Sequence, residues 1–280
     1  MNDKIYVLMP VHNRVESTRC MIECLQAQTL RGSMCIIVVD DGSTDGTAEY
    51  LSSCDNLIVL KGGGSLWWGG SIDLAMRYAM SRALPADWVL LVNNDIEIRN
   101  NFVQSLLETA LRNPKSAIGS VVRDRNNGKL LSVGPIIDAK RMIIKDWVEI
   151  IKNLSPEIRV CKVDALSGRG VLFPVAGLVA AGGMRPGFLP HYFADYELSL
   201  RIKSSGWSLI VDLETAVFSE NNFGSDVKLV FGVKKYLTIG SPSYLPAQVI
   251  FWWKASSIWQ RFTLPFRGLK FMISSRLRIS

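Results

Sequence analysis

The sequence predicts an α/β fold in which a mostly parallel central sheet carries helices on both faces. Short apolar segments alternate with helical patterns from residue 4 to residue 122. The apolar segments are rich in Val, Ile and Leu, which is typical of parallel strands buried on both faces. The 280 residues are 48% hydrophobic and 20% charged. That balance excludes a disordered, collagen-like or coiled-coil chain.

The order of elements follows from these segments. Pro10 ends the first strand, and Thr44 and Asp45 are cap residues for the helix after the second strand. Residues 123–165 show no clear alternation and are expected to form an edge excursion and a loop. The predicted strands are 4–9, 34–39, 56–60, 88–92 and 117–122, and the predicted helices are 15–28, 44–51, 71–83 and 100–112.

The positive charge is concentrated at the end of the chain. The formal net charge is +7, yet no Asp or Glu follows Asp226. Residues 1–226 hold 23 basic and 25 acidic side chains, and the remaining nine basic side chains lie in residues 227–280. There they alternate with Trp and Phe, a pattern typical of contact with an anionic membrane surface. The alternative is a helical segment that packs on the core and exposes a solvated basic face.

The sequence disfavours both a membrane-spanning helix and nucleic-acid binding for this segment. The apolar run 244–262 is interrupted by Gln248, Lys254 and Gln260, which is too much polarity for a clear membrane-spanning helix. A nucleic-acid binder would carry its basic patch in the folded body, so we expect no nucleic-acid partner.

The cysteines and the N-terminus indicate the compartment. Five cysteines, an odd number, occur mostly in apolar runs: Cys20, Cys24, Cys35, Cys54 and Cys161. They form neither a disulfide framework nor a paired metal-binding motif, which favours a reducing compartment. The N-terminus lacks the charged start and long apolar stretch of a signal peptide. We therefore expect a cytoplasmic protein, peripheral at the inner face of the cell membrane.

Polar side chains follow the second and fourth predicted strands where each strand ends. These are Asp40–Asp41–Gly42–Ser43 and Asn93–Asn94–Asp95. Carboxylates at strand ends can accept hydrogen bonds from a base or ribose, or bind a hard divalent cation beside a diphosphate. Each motif alone equally fits an ordinary turn. Their occurrence together, on strands expected to be adjacent, favours a ligand site at this edge of the sheet.

Four motifs resemble, in order and spacing, those of glycosyltransferase family 2, whose members are inverting enzymes with the GT-A (nucleotide-diphospho-sugar transferase) fold. The motifs are Val11–Arg14, Val39–Asp45, Asn93–Asp95 and Asp195–Arg201, the last followed by Gly206–Trp207. Two further segments, Gly62–Gly70 and Leu166–Gly170, resemble a rhamnosyl- and galactosyltransferase-like subgroup. That subgroup assembles bacterial surface polysaccharides such as O-antigen and capsule.

The resemblance implies a domain organisation and a reaction. Residues 1–226 would form the GT-A domain, with a nucleotide-sugar-binding half at 1–122 and an acceptor-side half at 123–226. Residues 227–280 would form the basic aromatic C-terminal segment. The implied reaction moves a sugar, with inversion, from a UDP- or dTDP-sugar to a saccharide acceptor, which is expected to be lipid-linked.

The resemblance also assigns residues on the donor side. Asp41 is implied to bond the nucleobase, and Asp95 to hold a divalent cation, Mg or Mn, beside the diphosphate. One of the two neighbouring tryptophans is expected in the core and the other against the sugar. The remaining implied substrate-binding residues are Pro10, His12, Asn13, Trp67, Trp68, Gly69, Asp73, Asn93, Asn94, Arg169 and Arg201.

Asp195 is the expected catalytic base. Inversion requires one carboxylate that takes the proton of the acceptor hydroxyl while that hydroxyl attacks the sugar. Glu197 is expected either to orient the acceptor or to lie on the surface at the start of a helix. Asp195 also suits a cap for the helix 196–204, a role that does not exclude catalysis.

The chain departs from the family pattern at the metal site. The family's Asp-x-Asp motif is reduced to Asn93–Asn94–Asp95, and the His that many members carry after the last strand is missing from 216–222. Glu220 is the candidate that would replace this His as a metal ligand. These losses keep open a catalytically weak nucleotide-sugar-binding protein. A nucleotidyltransferase is disfavoured because residues 10–14, after the first strand, contain no glycine.

Overall fold

The computed structural model describes residues 3–151, 155, 157–220 and 232–268. The strands are β1 (Ile5–Val11), β2 (Met34–Asp40), β3 (Leu57–Lys61), β4 (Trp88–Leu91), β5 (Ile96–Ile98), β6 (Ser116–Asp124), β7 (Leu130–Ser132), β8 (Pro135–Asp138), β9 (Ile143–Asp146), β10 (Val160–Lys162), β11 (Val171–Pro174) and β12 (Ser208–Ser219). The α-helices are α1 (Val15–Gln26), α2 (Thr47–Ser52), α3 (Trp67–Met80), α4 (Phe102–Arg112), α5 (Val148–Ile151), α6 (Val175–Ala181), α7 (Ala194–Ser204), α8 (Leu245–Ala255) and α9 (Ile258–Phe262).

A ten-stranded sheet forms the centre of the molecule. Its order is β10-β12-β6-β11-β4-β1-β2-β3, with β5 on β12 and β7 on β6. The strands β3, β2, β1 and β4 pair in parallel, as predicted. Strand β1 lies between β2 and β4, so the two polar strand ends are separated by one strand instead of being adjacent. Strand β11 runs antiparallel to β4 and β6, a reversal that the sequence pattern did not indicate.

Helices cover both faces of the sheet, which confirms the predicted α/β architecture. Alternate residues of β1 and β2 face opposite sides. Tyr6 and Leu8 pack with α3, α6 and α7, whereas Val7 and Met9 pack with α1 and α4. The two apolar layers fix the register of the sheet, because a shift of one residue would turn each layer towards the other side.

Helix α3 begins at Trp67, four residues earlier than predicted. Trp67 adopts a φ of +57°, which is costly for a bulky residue. The helix begins there because the carboxylate of Asp41 accepts hydrogen bonds from the backbone of Leu66 and Trp67. Both tryptophans of the glycine-rich segment therefore belong to the first turn of this helix.

The segment 123–165 is more regular than predicted. It contains β7, the β8–β9 pair that forms a separate two-stranded sheet, and β10 at the edge of the main sheet. The expected edge excursion is present, but these strands were missed. They are only three or four residues long, which is too short for alternation to distinguish them from loop.

The described part of the C-terminal segment is helical and packs on the body. Phe251 of α8 is fully buried, and its ring stacks on that of Phe193 at 4.5 Å with an interplanar angle of 17°. Exposed aromatic side chains occur in the same segment: Trp253 of α8, Trp259 and Phe262 of α9, and Phe266 after α9. The predicted boundary at 226 and 227 falls outside the described residues. Within those residues, no helix combines the length and apolarity needed to cross a membrane.

Candidate active site

A cleft of about 800 Å³ lies at the carboxyl ends of β1, β2 and β4. The segment 166–170 and the first turn of α7 form its other wall, and Gly240 and Pro242 of the C-terminal segment also line it. Its size is in the range of small-ligand sites. Ten of the predicted site residues line it: Pro10, His12, Asp41, Trp67, Trp68, Asn93, Asn94, Asp95, Arg169 and Asp195.

Asp41 anchors the glycine-rich segment over the end of β2. Its Oδ1 accepts a hydrogen bond from the amide of Gly64 at 2.7 Å, and its Oδ2 accepts from Leu66 at 2.8 Å and Trp67 at 3.1 Å. Three amide donors on one carboxylate hold the segment 62–67 and stabilise the start of α3. The nucleobase contact of Asp41 stays a prediction, and the anchoring role is one that the sequence did not indicate.

The turns after β1 and β2 are tied together by His12 and Asn13. His12 Nδ1 donates to the carbonyl of Asp41 at 2.6 Å. The amide of Asn13 donates to Ser43 Oγ at 2.7 Å, and Asn13 Oδ1 accepts from the amide of Thr44 at 2.9 Å. Asn13 therefore stabilises this turn and is not among the residues that line the cleft, and its place in the base and ribose pocket stays a prediction.

The segment after β4 presents mainly Asn93 and Asp95 to the cleft. Asn93 Oδ1 accepts a hydrogen bond from the indole Nε1 of Trp68 at 2.9 Å. Asn94 is 8% exposed, and its Nδ2 donates to Thr18 Oγ1 of α1 at 3.0 Å. The amide nitrogen of Asn94 is thus directed at the helix, and its ribose contact stays a prediction.

The chemistry of Asp95 fits a divalent cation. Asp95 Oδ1 is buried and has no hydrogen-bond partner, and a hard cation satisfies such an oxygen. Asp95 Oδ2 lies 3.4 Å from Arg14 Nη1. The described residues contain no cluster of three or more His, Cys, Asp or Glu side chains that could hold a metal ion. Glu220, the candidate substitute ligand, lies 3.9 Å from Arg125 Nη1, and its role as a ligand stays a prediction.

Asp195 occupies the first turn of α7 instead of the cap position, which Phe193 holds. Its Oδ2 accepts from the amide of Gly168 and its Oδ1 from the amide of Tyr196, each at 2.9 Å. Burial raises the pKa of Asp195, while the two backbone donors and the Arg169 guanidinium act in the opposite direction. A carboxylate with a raised pKa holds a proton more readily, which suits a general base.

Aromatic residues beside Asp195 complete this wall of the cleft. His191 lies with its ring centroid 5.6 Å from that of Trp67 and 4.6 Å from that of Tyr192. Burial lowers the pKa of His191, so the imidazole is neutral at neutral pH. The sequence pattern did not single out Tyr192 and Tyr196 as site residues, although both lie within three residues of Asp195. Rings of this kind pack against the apolar faces of sugars.

Glu197 and Arg201 form a buried ion pair outside the cleft. Arg201 Nε and Nη2 reach the Glu197 carboxylate at 2.8 to 2.9 Å, and Arg201 Nη1 donates to the carbonyl of Ala181 at the end of α6. Glu197 is 3% exposed. The surface position that was one alternative for Glu197 is therefore wrong, and the substrate contacts of Glu197 and Arg201 stay predictions that this ion pair does not favour.

Gly69 and Asp73 also serve α3 instead of lining the cleft. A Cβ added at Gly69 would lie 2.7 Å from the carbonyl oxygen of Leu189, and the Gly69 amide donates to the carbonyl of Pro190 at 2.8 Å. Asp73 pairs with Arg77 one turn later at 3.1 Å. The glycine permits close packing of the helix, and the carboxylate pairs along it, while the substrate contacts of both residues stay predictions.

Comparison with known proteins now places the chain. The model of "Glycosyl transferase family 2" matches residues 6–166, which is more than half of the sequence. The chain belongs to glycosyl transferase family 2. The matched region includes β1, β2 and β4, whose carboxyl ends border the cleft, and it ends at Leu166, where the segment that contacts Asp195 begins.

Curated relatives of this family 2 chain come from Mycobacterium tuberculosis. The protein named N-acetylglucosaminyl-diphospho-decaprenol L-rhamnosyltransferase, from strains CDC 1551 and H37Rv, is 24% identical over 196 residues. The match covers 61% of this chain and 62% of the relative. The chain thus spans less than two thirds of the length of these relatives.

Solved structures share the fold. GalNAc-T7, crystallised with UDP, GalNAc and Mn²⁺, is 16% identical with a TM-score of 0.61, covering 78% of this chain and 43% of that one. S. aureus TarS residues 1–349, in complex with UDP, is 16% identical with a TM-score of 0.56, covering 79% and 62%. These similarities establish the GT-A fold for this family 2 member.

Proposed function

We propose that this family 2 protein is an inverting glycosyltransferase that moves a sugar from a nucleotide-sugar to a saccharide acceptor. The observation that carries the proposal is the position of Asp195. Its carboxylate lies in the same cleft as the Asn93–Asp95 edge, and burial raises its pKa. A base on one wall and a diphosphate site on the other are what a single displacement with inversion requires.

The proposed step transfers one proton, forms one carbon–oxygen bond and breaks another. Asp195 takes the proton of the acceptor hydroxyl, and the hydroxyl oxygen bonds to the anomeric carbon of the donor sugar. The bond from that carbon to the diphosphate oxygen breaks, and the nucleoside diphosphate leaves on the opposite face. The amide donors from Gly168 and Tyr196 hold the two carboxylate oxygens in position, so that little reorganisation is needed during proton transfer.

The donor is proposed to be a UDP- or dTDP-sugar. Pro10, His12 and Asp41 lie at the end of the cleft formed by β1 and β2, where ligands bind in open α/β sheets. Support for these donors comes from the UDP in two related structures and from the rhamnosyltransferase name of the mycobacterial relatives.

A divalent cation, Mg²⁺ or Mn²⁺, is proposed at Asp95. Its unpartnered Oδ1 would hold the cation together with oxygens of the diphosphate. When bound, the cation supplies Lewis-acid stabilisation of the negative charge on the leaving diphosphate. The Mn²⁺ in the GalNAc-T7 structure supports this choice.

The acceptor is proposed to be a lipid-linked saccharide at the cytoplasmic face of a bacterial membrane, within surface polysaccharide (O-antigen or capsule) assembly. The mycobacterial relatives are named for an acceptor of this kind. Helix α9 carries Trp259, 78% exposed, and Phe262, 74% exposed, together with Arg261, and Lys254 lies in the last turn of α8. Aromatic and basic side chains together favour an anionic lipid surface, and we propose peripheral binding there.

A donor screen tests the proposed function. Purified protein is incubated with UDP- and dTDP-sugars and a bacterial lipid extract, and nucleoside diphosphate release is measured with Mg²⁺, with Mn²⁺ and with EDTA. We expect release from one donor, dependent on cation and acceptor. Tight nucleotide binding without release from any donor would instead support a nucleotide-sugar-binding protein. Release that EDTA does not reduce would contradict the role of Asp95.

Vesicle sedimentation tests the membrane contact. The double substitution Trp259→Ser and Phe262→Ser should reduce binding to vesicles that contain anionic phosphatidylglycerol, with little effect on stability because both side chains are exposed. Leu84→Ser and Leu111→Ser, at exposed apolar residues of the body (67% and 57%), are the matched control. Equal binding of both double variants would overturn this assignment.

A further inference from the structure

The indole ring of Trp68 bridges the two walls of the cleft. Trp68 lies in the first turn of α3, and its Nε1 donates to Asn93 Oδ1 at 2.9 Å on the donor side. This bond fixes the orientation of the ring about its side-chain torsions. The indole edge that points away from Asn93 extends towards the acceptor-side segment 166–170.

The benzene ring of this indole lies directly on Gly168. A Cβ added at Gly168 would be 2.2 Å from Trp68 Cζ2 and 2.6 Å from Cη2. Such contacts are far shorter than any that packed carbon atoms tolerate. Gly168 does not have a positive φ. Glycine is therefore required here by the space that Trp68 occupies and not by backbone conformation.

Gly168 is in turn one of the backbone donors to Asp195. Its amide donates to Asp195 Oδ2 at 2.9 Å. A hydrogen bond to the ionised form of a carboxyl group lowers its pKa and fixes its orientation. The position of Gly168 therefore affects both the geometry and the proton affinity of the base.

We propose that Trp68 is a positioning residue for Asp195, acting through Gly168, and not primarily a platform for a sugar. The chain of contacts runs from Asn93 through Trp68 and Gly168 to Asp195, and it joins the donor edge to the base. The inference rests on the proposed function, in which Asp195 accepts the proton. The proposal adds a structural link between the two walls of the cleft, which the catalytic step alone does not require.

Three variants test the proposal: Gly168→Ala, which introduces a steric clash, Trp68→Phe, and their combination, in which the clash is relieved. Gly168→Ala forces the new Cβ against the indole, so the loop shifts and Asp195 loses its donor. We expect kcat to fall on the order of tenfold to a hundredfold, the effect of a misplaced catalytic group. The acid limb of the pH profile should move to higher pH, because the charged form of Asp195 has lost a hydrogen bond.

The combined variant gives the decisive comparison. Phenylalanine lacks the two indole atoms that the alanine Cβ would meet, so Gly168→Ala with Trp68→Phe should be more active than Gly168→Ala alone. Its acid limb should return towards that of Trp68→Phe. Purely additive losses, or a rise in acceptor KM with no change in the pH profile, would overturn the proposal and indicate that Trp68 contacts the sugar.

A measurement without turnover separates this proposal from the function on which it rests. Amide hydrogen exchange at Gly168, followed by NMR with [¹⁵N]glycine labelling, should be protected in the wild type and lose protection in Trp68→Ala. If Asp195→Asn retains full turnover while this loss is seen, the proposed base is wrong and the positioning contact stands. Unchanged protection in Trp68→Ala would overturn the contact itself.

Discussion

The buried ion pair between Glu197 and Arg201 gives a quantitative prediction for Arg201→Met. The two side chains are 4% and 13% exposed, so the substitution leaves a buried carboxylate without its partner. Breaking such a pair costs about 3–5 kcal/mol. With an unfolding entropy of about 2.1 cal/mol/K per residue, a chain of 280 residues should lose about 5–8 °C in Tm.

The assay is urea denaturation together with activity per folded molecule. Arg201→Met should lower the unfolding free energy by the stated amount and leave KM for donor and acceptor within about twofold, because Arg201 lies outside the cleft. Arg112→Met is the matched control, since Arg112 and Glu108 have the same spacing on α4 but are 67% and 47% exposed. It should change stability by less than about 0.5 kcal/mol.

A double variant tests whether the unpaired charge causes the loss of stability. Replacing both partners, as Glu197→Leu with Arg201→Met, should recover most of the lost stability because no unpaired charge remains. An unchanged Tm in Arg201→Met together with a raised donor KM would refute the argument. That result would return Arg201 to the substrate-binding role that the sequence suggested.

Three other predictions concern Asp195, Gly69 and Phe251. As pH falls, kcat/KM should decline through a pKa above the ordinary Asp value of about 3.9, because burial raises the pKa of Asp195 and only its carboxylate form accepts a proton. A pH–rate profile checks this, and an acid limb at the ordinary pKa of Asp contradicts it. Gly69→Ala should cost about 1–3 kcal/mol in urea denaturation because its Cβ meets the Leu189 carbonyl, while Gly32→Ala, with open space around it, should cost far less. Phe251→Ala should cost about 3–5 kcal/mol, since the ring is fully buried against Phe193; a loss below about 1 kcal/mol would mean that α8 does not pack on the body in solution.

The parallel half of the sheet could be predicted because its strands are long apolar runs. β1 and β2 are seven residues each and buried along almost their whole length, so their pattern is unmistakable. Strand β11 could not be predicted in the same way. Its four residues are buried too, but its antiparallel place between β4 and β6 depends on contacts far apart in the sequence.

The cleft was predicted better than the individual roles of its residues. The strand pattern placed Asp41 and Asp95 at the carboxyl ends of two strands, the family resemblance singled out Asp195, and all three residues line the cleft. Spacing alone does not reveal where a side chain points within one turn of helix. Asp195 faces the cleft, whereas Glu197, two residues later and about 200° around the helix axis, pairs with Arg201, which itself donates to Ala181 at the end of α6.

Arg14 and Gly168 illustrate a second limit of sequence reasoning. Both line the cleft, yet only folding brings Arg14 beside Asp95 and Gly168 beside Asp195. The sequence indicated only that Arg14 lies in the motif 11–14 and Gly168 in the motif 166–170. Their partners are 81 and 27 residues away, and no local pattern specifies pairs at such separations.

Asp195→Asn, assayed with the donor and acceptor that the screen identifies, tests the central claim most directly. We expect kcat/KM to fall by at least about a hundredfold, the order expected for a lost general base. The Kd for the nucleoside diphosphate should stay within about twofold, because Asp195 lies on the cleft wall formed by residues 166–170 and α7 and not at the ends of β1 and β2. Turnover within about tenfold of the wild type would contradict the claim that Asp195 accepts the proton.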